Sequence, residues 1–421
     1  MDEPKVSLVI VSRDRPDGLR RLLCSLQFQC YRNFEIIVVT NSVITVSNQV
    51  CIVPFDDPNI SAARNVGIEH SQGDLVAFCD DDAIPEPTWL EHLVAPFSDK
   101  AVGIAGGFVR GRNGIDFQWK AQQVNQFGFD KPSVIEDENE GQIFGQQGAW
   151  CPKVQGTNCV FRKSLLTELG GFDENFKFYL DETDLCYRAS KQGWLTAIVP
   201  KAEVQHGFSE SARRTAMRVP KSLFAEGSSK AYFCKKHGSG ANSVQEFDRF
   251  RGEQNQRLIQ MMVSGLIAPR DVQMLLSTLE KGLSVGQKLT LKNQVLSKDK
   301  QRAFTTYMKK NEANRSGVVL AGSVLSRRTL EKAAIKASGT GKIVTLFCWS
   351  FTTLFHRRYF DERGFWRQSG GLFGKSTREA AYFQYATVLS RSKLELNWLQ
   401  KLRKTDKLSV YRFNKVLTVT K

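Results

Sequence analysis

Residues 75–85 read LVAFCDDDAIP: four apolar residues and Cys79 lead into three aspartates, Asp80, Asp81 and Asp82. A short continuous apolar run ended by polar residues is the pattern of a strand buried on both faces. The three carboxylates then stand at its carboxyl end, the edge at which open α/β sheets bind ligands. Hard oxygens gathered there suit Mg²⁺ or Mn²⁺ bridging a diphosphate. The same acids in a surface turn would only be solvated, so the flanking sequence has to decide.

On the amino-terminal side, residues 6–11 (VSLVIV) and 34–39 (FEIIVV) are apolar and rich in β-branched side chains, and Cys51, Ile52 and Val53 form a shorter run. Leu19, Leu22, Leu23 and Leu26 fall at helical spacing between the first two. Residues 61–70 (SAARNVGIEH) read as a helix with Ser61 as its N-cap and Gly73 closing it. On the carboxyl-terminal side a helix opens at Thr88 and residues 102–108 form a strand. Residues 112–150 are a long excursion rich in Gln, Asn, Gly and Phe, expected to line the substrate side. Residues 156–162 return to strand, Ser164 caps a helix, residues 178–188 form another closed by Gln192-Gly193, and residues 195–199 and 204–206 are the last strands. Strands alternating with helices predict an α/β fold with a doubly wound, mostly parallel sheet.

Beyond residue 215 the apolar residues fall at helical spacings, as in Leu258, Met261, Met262 and Leu266, or Val272, Leu275, Leu276 and Leu279. This predicts a mainly α-helical C-terminal domain. A chain of 421 residues is too long for one ordinary core, so the expected domains are 1–215 and 216–421. Residues 343–355 (IVTLFCWSFTTLF) are too short to span a bilayer and read as a buried helix, or as an interfacial segment beside His356, Arg357 and Arg358. Residues 370–376 (GGLFGKS) miss the phosphate-loop pattern, because Ser369 stands where glycine is required and no apolar strand precedes them.

Nine cysteines without a CxxC pair, and an opening without a basic or apolar leader, fit a cytoplasmic protein with reduced thiols. Charge is divided unevenly. Residues 1–215 hold 21 Lys and Arg against 29 Asp and Glu, and residues 216–421 hold 38 against 14. A basic half asks for an anionic partner. The clusters Lys235-Lys236-His237, Arg357-Arg358 and Lys401-Leu402-Arg403-Lys404 would dock peripherally on the inner face of an anionic membrane. No RNP, KH or zinc signature is present, which sets nucleic acid aside as the expected partner.

The order of motifs, SRDR after the first strand, AARN, CDDD, GTN, DETDLCYR and a histidine after the final strand, resembles the inverting family 2 glycosyltransferases of GT-A fold. The likeness covers about the first half of the chain. It implies that Asp80 and Asp82 hold a divalent cation, Mg²⁺ or Mn²⁺, with His206 completing the metal site. It implies a general base in an acidic pair at a helix start. The pair is Asp181-Glu182 here, the reverse of the family's usual order, so the base falls on Glu182, with Asp181 or Asp184 as alternatives. Such acids would otherwise only favour a helix N-terminus. Asp14 and Arg64 are the expected nucleotide and phosphate contacts, although Thr40-Asn41-Ser42 replaces the family's acidic turn. Asn158 matches the strand that lines the donor or acceptor pocket, and Trp150 could stack on a sugar. Residues 207–214 match a loop that folds over the diphosphate, bringing Arg213 and Arg214.

The reading is a metal-dependent inverting glycosyltransferase of polysaccharide or cell-envelope biosynthesis. It takes a nucleotide-diphosphate sugar donor and a glycan or lipid-linked glycan acceptor. The alternatives are a nucleotidyltransferase, an inactive scaffold and a nucleic-acid-binding protein acting through the basic half.

Overall fold

The computed structural model describes residues 3–207, 210–238, 243–297, 300–307, 316–412 and 415–420. A ten-stranded sheet dominates the first half. Its strands run in the order Gln142–Phe144, Leu195–His206, Val102–Arg110, Cys159–Arg162, Leu75–Phe78, Val6–Ser12, Phe34–Thr40 and Val50–Pro54, with two short strands paired at the side. The last four of these are mutually parallel, and Cys159–Arg162 runs antiparallel to both neighbours.

Alternation along a strand sends successive side chains to opposite faces. Leu8 and Ile10 accordingly join Leu19, Leu22, Trp89 and Leu90 in one core layer, while Val9, Ile37 and Val39 join Ile68, Leu185 and Ala189 in the other. Helices Pro16–Leu26 and Trp89–Val94 thus cover one face, and Ile60–His70 and Asp181–Lys191 the other. The α/β reading of this half holds. Two details differ: the strand Leu195–His206 is continuous where two were expected, and the helix Ile60–His70 is capped by Asn59, whose side chain accepts from Ala62 N at 3.2 Å. The excursion at 112–150 contains a small three-stranded sheet built from Gln122–Asn125, Asp130–Pro132 and Trp150–Lys153.

The second half departs from the mainly helical expectation. Helices Phe224–His237, Ser243–Val263 and Pro269–Lys288 pack on Phe127 and Phe129 through Leu258, Leu275 and Leu279, as the spacing predicted. A six-stranded sheet follows, ordered Arg357–Asp361, Phe365–Gly371, Ile343–Ser350, Gly317–Ser323, Thr405–Arg412 and Lys415–Thr420, with its four central strands parallel. Helices Arg327–Gly339 and Val388–Arg403 accompany it. Residues 343–350 are therefore a buried central strand, neither a helix nor an interfacial segment. A strand does precede the glycine-rich residues 370–376, but these lead into coil and the next helix begins only at Val388.

Most of the basic clusters expected to meet a membrane are engaged inside the protein. Arg403 grips Glu86 with two hydrogen bonds of 2.6 and 2.7 Å, and Lys404 meets Glu91 at 2.7 Å. Lys236 lies 2.6 Å from Asp173 and 2.9 Å from Asp184, which also receives His237 at 2.7 Å. Lys235 bonds the carbonyls of Gln287 and Leu289, and Arg358 is buried against Glu395 at 3.1 Å. Burial demands such partners, since an unpaired charge in the interior is costly. Among the described residues no helix is long and apolar enough to cross a membrane.

Candidate active site

Strand Leu75–Phe78 is flanked by Val6–Ser12 and Cys159–Arg162, so its carboxyl end opens beside the loop that follows Ser12. That loop fixes Asp81. Ser12 Oγ donates to it at 2.7 Å and Arg15 lies 2.5 Å away. Burial pushes its carboxyl up to about 7, against the pull of Arg15. Asp81 is thus turned inward, and Asp80 and Asp82 face the edge.

The short strand Ala83–Pro85 pairs antiparallel with the end of Leu195–His206, setting Ala83 opposite His206. His206 Nε2 comes to 3.2 Å from Asp82 Oδ1 and 3.9 Å from Asp80 Oδ2. One ligand atom from each of the three residues lies within 4.8 Å of the others. On the far side of the ring, Nδ1 is 3.4 Å from Gln118 Oε1, and Trp119 stacks on the imidazole at 5.9 Å. The tautomer that satisfies Gln118 carries its proton on Nδ1 and presents the Nε2 lone pair to the acids. That is the support commonly found behind a metal-binding histidine. Two carboxylates and an imidazole form a mixed oxygen and nitrogen set that Mn²⁺ or Mg²⁺ fits. Arg15 at 3.1 Å and Arg214 at 3.5 Å also approach Asp82, keeping the cluster from bare repulsion.

Arg64 does not offer itself to a ligand phosphate. It is buried, bonded to Asp181 and to Gly156 O at 3.3 Å, and 3.5 Å from Asp80, with Phe78 and Phe172 beneath its guanidinium. The side chain is an interior strut joining the aspartate edge to the helix Asp181–Lys191. That helix starts after two consecutive left-handed residues, Tyr179 at φ 72° and Leu180 at φ 65°. Its three acids have different surroundings. Asp181 is held by Arg64, and Asp184 is fully buried against Arg188, Lys236 and His237, which hold it far below the usual carboxylate range despite burial. Glu182 is half-buried, and its carboxyl is raised first by burial and then by Asp181, with Lys153 and Arg64 pulling the other way. Asp184 is thereby corrected as an alternative base: Arg188, Lys236 and His237 occupy it.

Asn158 also differs from expectation. It has no exposed surface. Trp89 Nε1 donates to its Oδ1 at 2.7 Å, and its Nδ2 bonds Phe108 O at 3.0 Å and Ala202 O at 2.8 Å. Fully buried, it ties strands together. Trp150 carries Lys131 over its ring at 4.3 Å. Arg213 stacks on Phe178 at 4.4 Å and reaches Pro58 O at 3.4 Å, so its neighbour Arg214 is the one that meets the acids. Phe208 and Ser209 of the same loop lie outside the described residues. Asp14, at φ 57°, accepts from Asn41 Nδ2 at 2.8 Å, and the same amide reaches Asp56 at 3.0 Å. Asn41 therefore gathers two acids where the acidic turn was missing. Arg15 stood in the SRDR motif without a role assigned to it, whereas Asp56, Gln118 and Lys153 had no sequence signal of their own, because each acquires its place only from tertiary neighbours.

Residues 7–170 match the model of the family described as Glycosyl transferase family 2. The O-antigen biosynthesis protein RfbC of Myxococcus xanthus is 28% identical over 236 residues, which are 52% of this chain and 18% of that protein. The glucosyl-dolichyl phosphate glucuronosyltransferase of Haloferax volcanii is 27% identical over 228 residues, 49% of this chain and 70% of that one. The chain thus spans less than a fifth of the first relative's length. Among solved structures, the mannosyltransferase PcManGT from Pyrobaculum calidifontis in complex with GDP-Man and Mn²⁺ aligns with a TM-score of 0.42 at 13% identity, covering 68% of this chain and 88% of that one.

Proposed function

With residues 7–170 a glycosyl transferase family 2 domain, we propose that the protein is a metal-dependent inverting glycosyltransferase. It moves a sugar from a nucleotide-diphosphate sugar to a hydroxyl of a glycan or lipid-linked glycan in cell-envelope polysaccharide synthesis, on the cytoplasmic side. The observation that carries the reading is the meeting of Asp80, Asp82 and His206 within 4.8 Å from distant parts of the chain. A divalent cation held by these three would act as a Lewis acid toward the donor's diphosphate.

The protein's own groups account for the rest. Glu182 takes the proton of the acceptor hydroxyl on its carboxylate. Its half-buried position and raised affinity for a proton support this role. The acceptor oxygen forms its bond to the anomeric carbon as the bond from that carbon to the diphosphate oxygen breaks. The single displacement inverts the anomeric centre. Arg214, next to Asp82, contributes positive charge beside the departing nucleoside diphosphate. Asn41, Asp14 and Asp56 offer amide and carboxylate acceptors for the nucleoside.

A panel of sugar nucleotides tests this. One of them should stabilise the protein thermally when Mn²⁺ is present, and turnover should release nucleoside diphosphate. Release of pyrophosphate instead would mark a nucleotidyltransferase, and no stabilisation by any donor would defeat the reading.

A further inference from the structure

A cavity of about 660 Å³ lies between the two halves of the chain. Four arginines line it: Arg112 from the first half, Arg218 from the segment that follows His206, and Arg357 and Arg378 from around the second sheet. Among the described residues the only carboxylate in the lining is Asp116, which pairs with Arg378 at 2.9 Å. Arg218 is held below the usual guanidinium range by burial and then by its neighbours Arg112 and Arg214.

The walls are built. Gly114, at φ 67°, lets the loop pass so close that a Cβ there would sit 2.4 Å from Arg358 O. Arg358 N donates to Asn113 O at 2.8 Å, and Gln205 Nε2 reaches Arg358 O at 2.8 Å. Arg358 turns its side chain into the second core, so strand alternation sends Arg357 the opposite way, to the cavity. The cavity also abuts the candidate metal site, because Gln118 lines it and supports His206.

We propose that this cavity holds a phosphate group of the acceptor, anchoring it beside His206 by charge while its hydroxyl reacts. The proposal rests on the glycosyltransferase reading. Planar guanidinium forks match phosphate oxygens two at a time, and Arg112 and Arg357 add two such forks beside the Arg378–Asp116 pair. The donor's diphosphate has a separate place at Asp80 and Asp82. The phosphate could come from a lipid diphosphate or from a phosphorylated glycan.

Calorimetric titration of the full chain in EDTA with inorganic phosphate, glucose 6-phosphate and farnesyl diphosphate separates these cases. At least one probe should bind, and Arg357→Gln with Arg378→Gln should weaken it by roughly tenfold or more, the typical effect of losing a hydrogen bond between charged groups. Tighter binding of farnesyl diphosphate assigns a lipid source, and tighter binding of glucose 6-phosphate a glycan source. Arg112→Gln, on a different loop, should repeat the loss, so a misfolded double variant does not remove the test. No binding by any probe, or equal binding by the variants, overturns the proposal. Sugar-nucleotide stabilisation of the unaltered chain with Mn²⁺ reads the donor site alone. Its absence would sink the glycosyltransferase reading, whereas its presence without phosphate binding would sink only this one.

Discussion

Among the three acids of DETD, only Glu182 has neither Arg64 nor the Arg188, Lys236 and His237 trio claiming its carboxylate. Replacing it by Gln keeps the shape and removes the base. Turnover should fall by roughly 10²- to 10⁴-fold while thermal stabilisation by the sugar nucleotide persists, and unchanged turnover would exclude Glu182. Because burial and then Asp181 raise this carboxyl above the ordinary 4.5, the deprotonated, active form appears only at higher pH. The acidic limb of kcat/KM should therefore have its midpoint above 4.5; a midpoint at or below that value removes Glu182 from the role. At this scale the sequence was legible where a strand end sets the geometry, as with Asp80 and Asp82, whereas His206 entered only through the family resemblance. The sequence was opaque for Arg64 and Asn158, whose residue types suit a ligand as well as an interior. Only their neighbours, Asp181 for the one and Trp89, Phe108 and Ala202 for the other, decide.

The strand that ends in His206 owes its position to close pairing with Val102–Arg110. A Cβ on Gly107 would lie 1.8 Å from Ala202 O and 2.7 Å from Asn158 Nδ2, both fixed groups. Gly107→Ala should consequently cost about 1–3 kcal/mol, the usual penalty for overpacking, and lower Mn²⁺ affinity by displacing His206. Urea unfolding and metal titration check the two effects; wild-type values in both would refute the coupling. Apolar β-branched runs such as Val6–Ser12 and Phe34–Thr40 announced the first sheet plainly. The second sheet was hidden because Phe365–Gly371 buries Arg367 and Gln368 in mid-strand. Those side chains look like a surface until Glu331 and Glu395 are brought up to meet them.

For the molecule as a whole, the opposition of an acidic first half and a basic second half works in part as an internal fastening. Arg403 with Glu86, Lys404 with Glu91, Arg302 with Glu35 and Arg378 with Asp116 all pair the two. Net charge was readable from composition, but its destination was not, because composition carries no information about which charges face each other. Arg403→Met should leave Glu86 largely buried without its partner, at a cost of roughly 3–5 kcal/mol. Adding Glu86→Gln should recover part of it, and a double-mutant cycle in urea measures the coupling. Additive effects would mean that the pair does not fasten the halves. Thr88 hands both its backbone N–H and its hydroxyl to Leu402 O, at 3.3 and 2.9 Å, a few residues beyond the aspartates. A chimera that borrows the last hundred residues from a homologous chain must therefore bring a compatible host segment at 86–91 with it, so the two parts are inherited as a matched set and not as interchangeable modules.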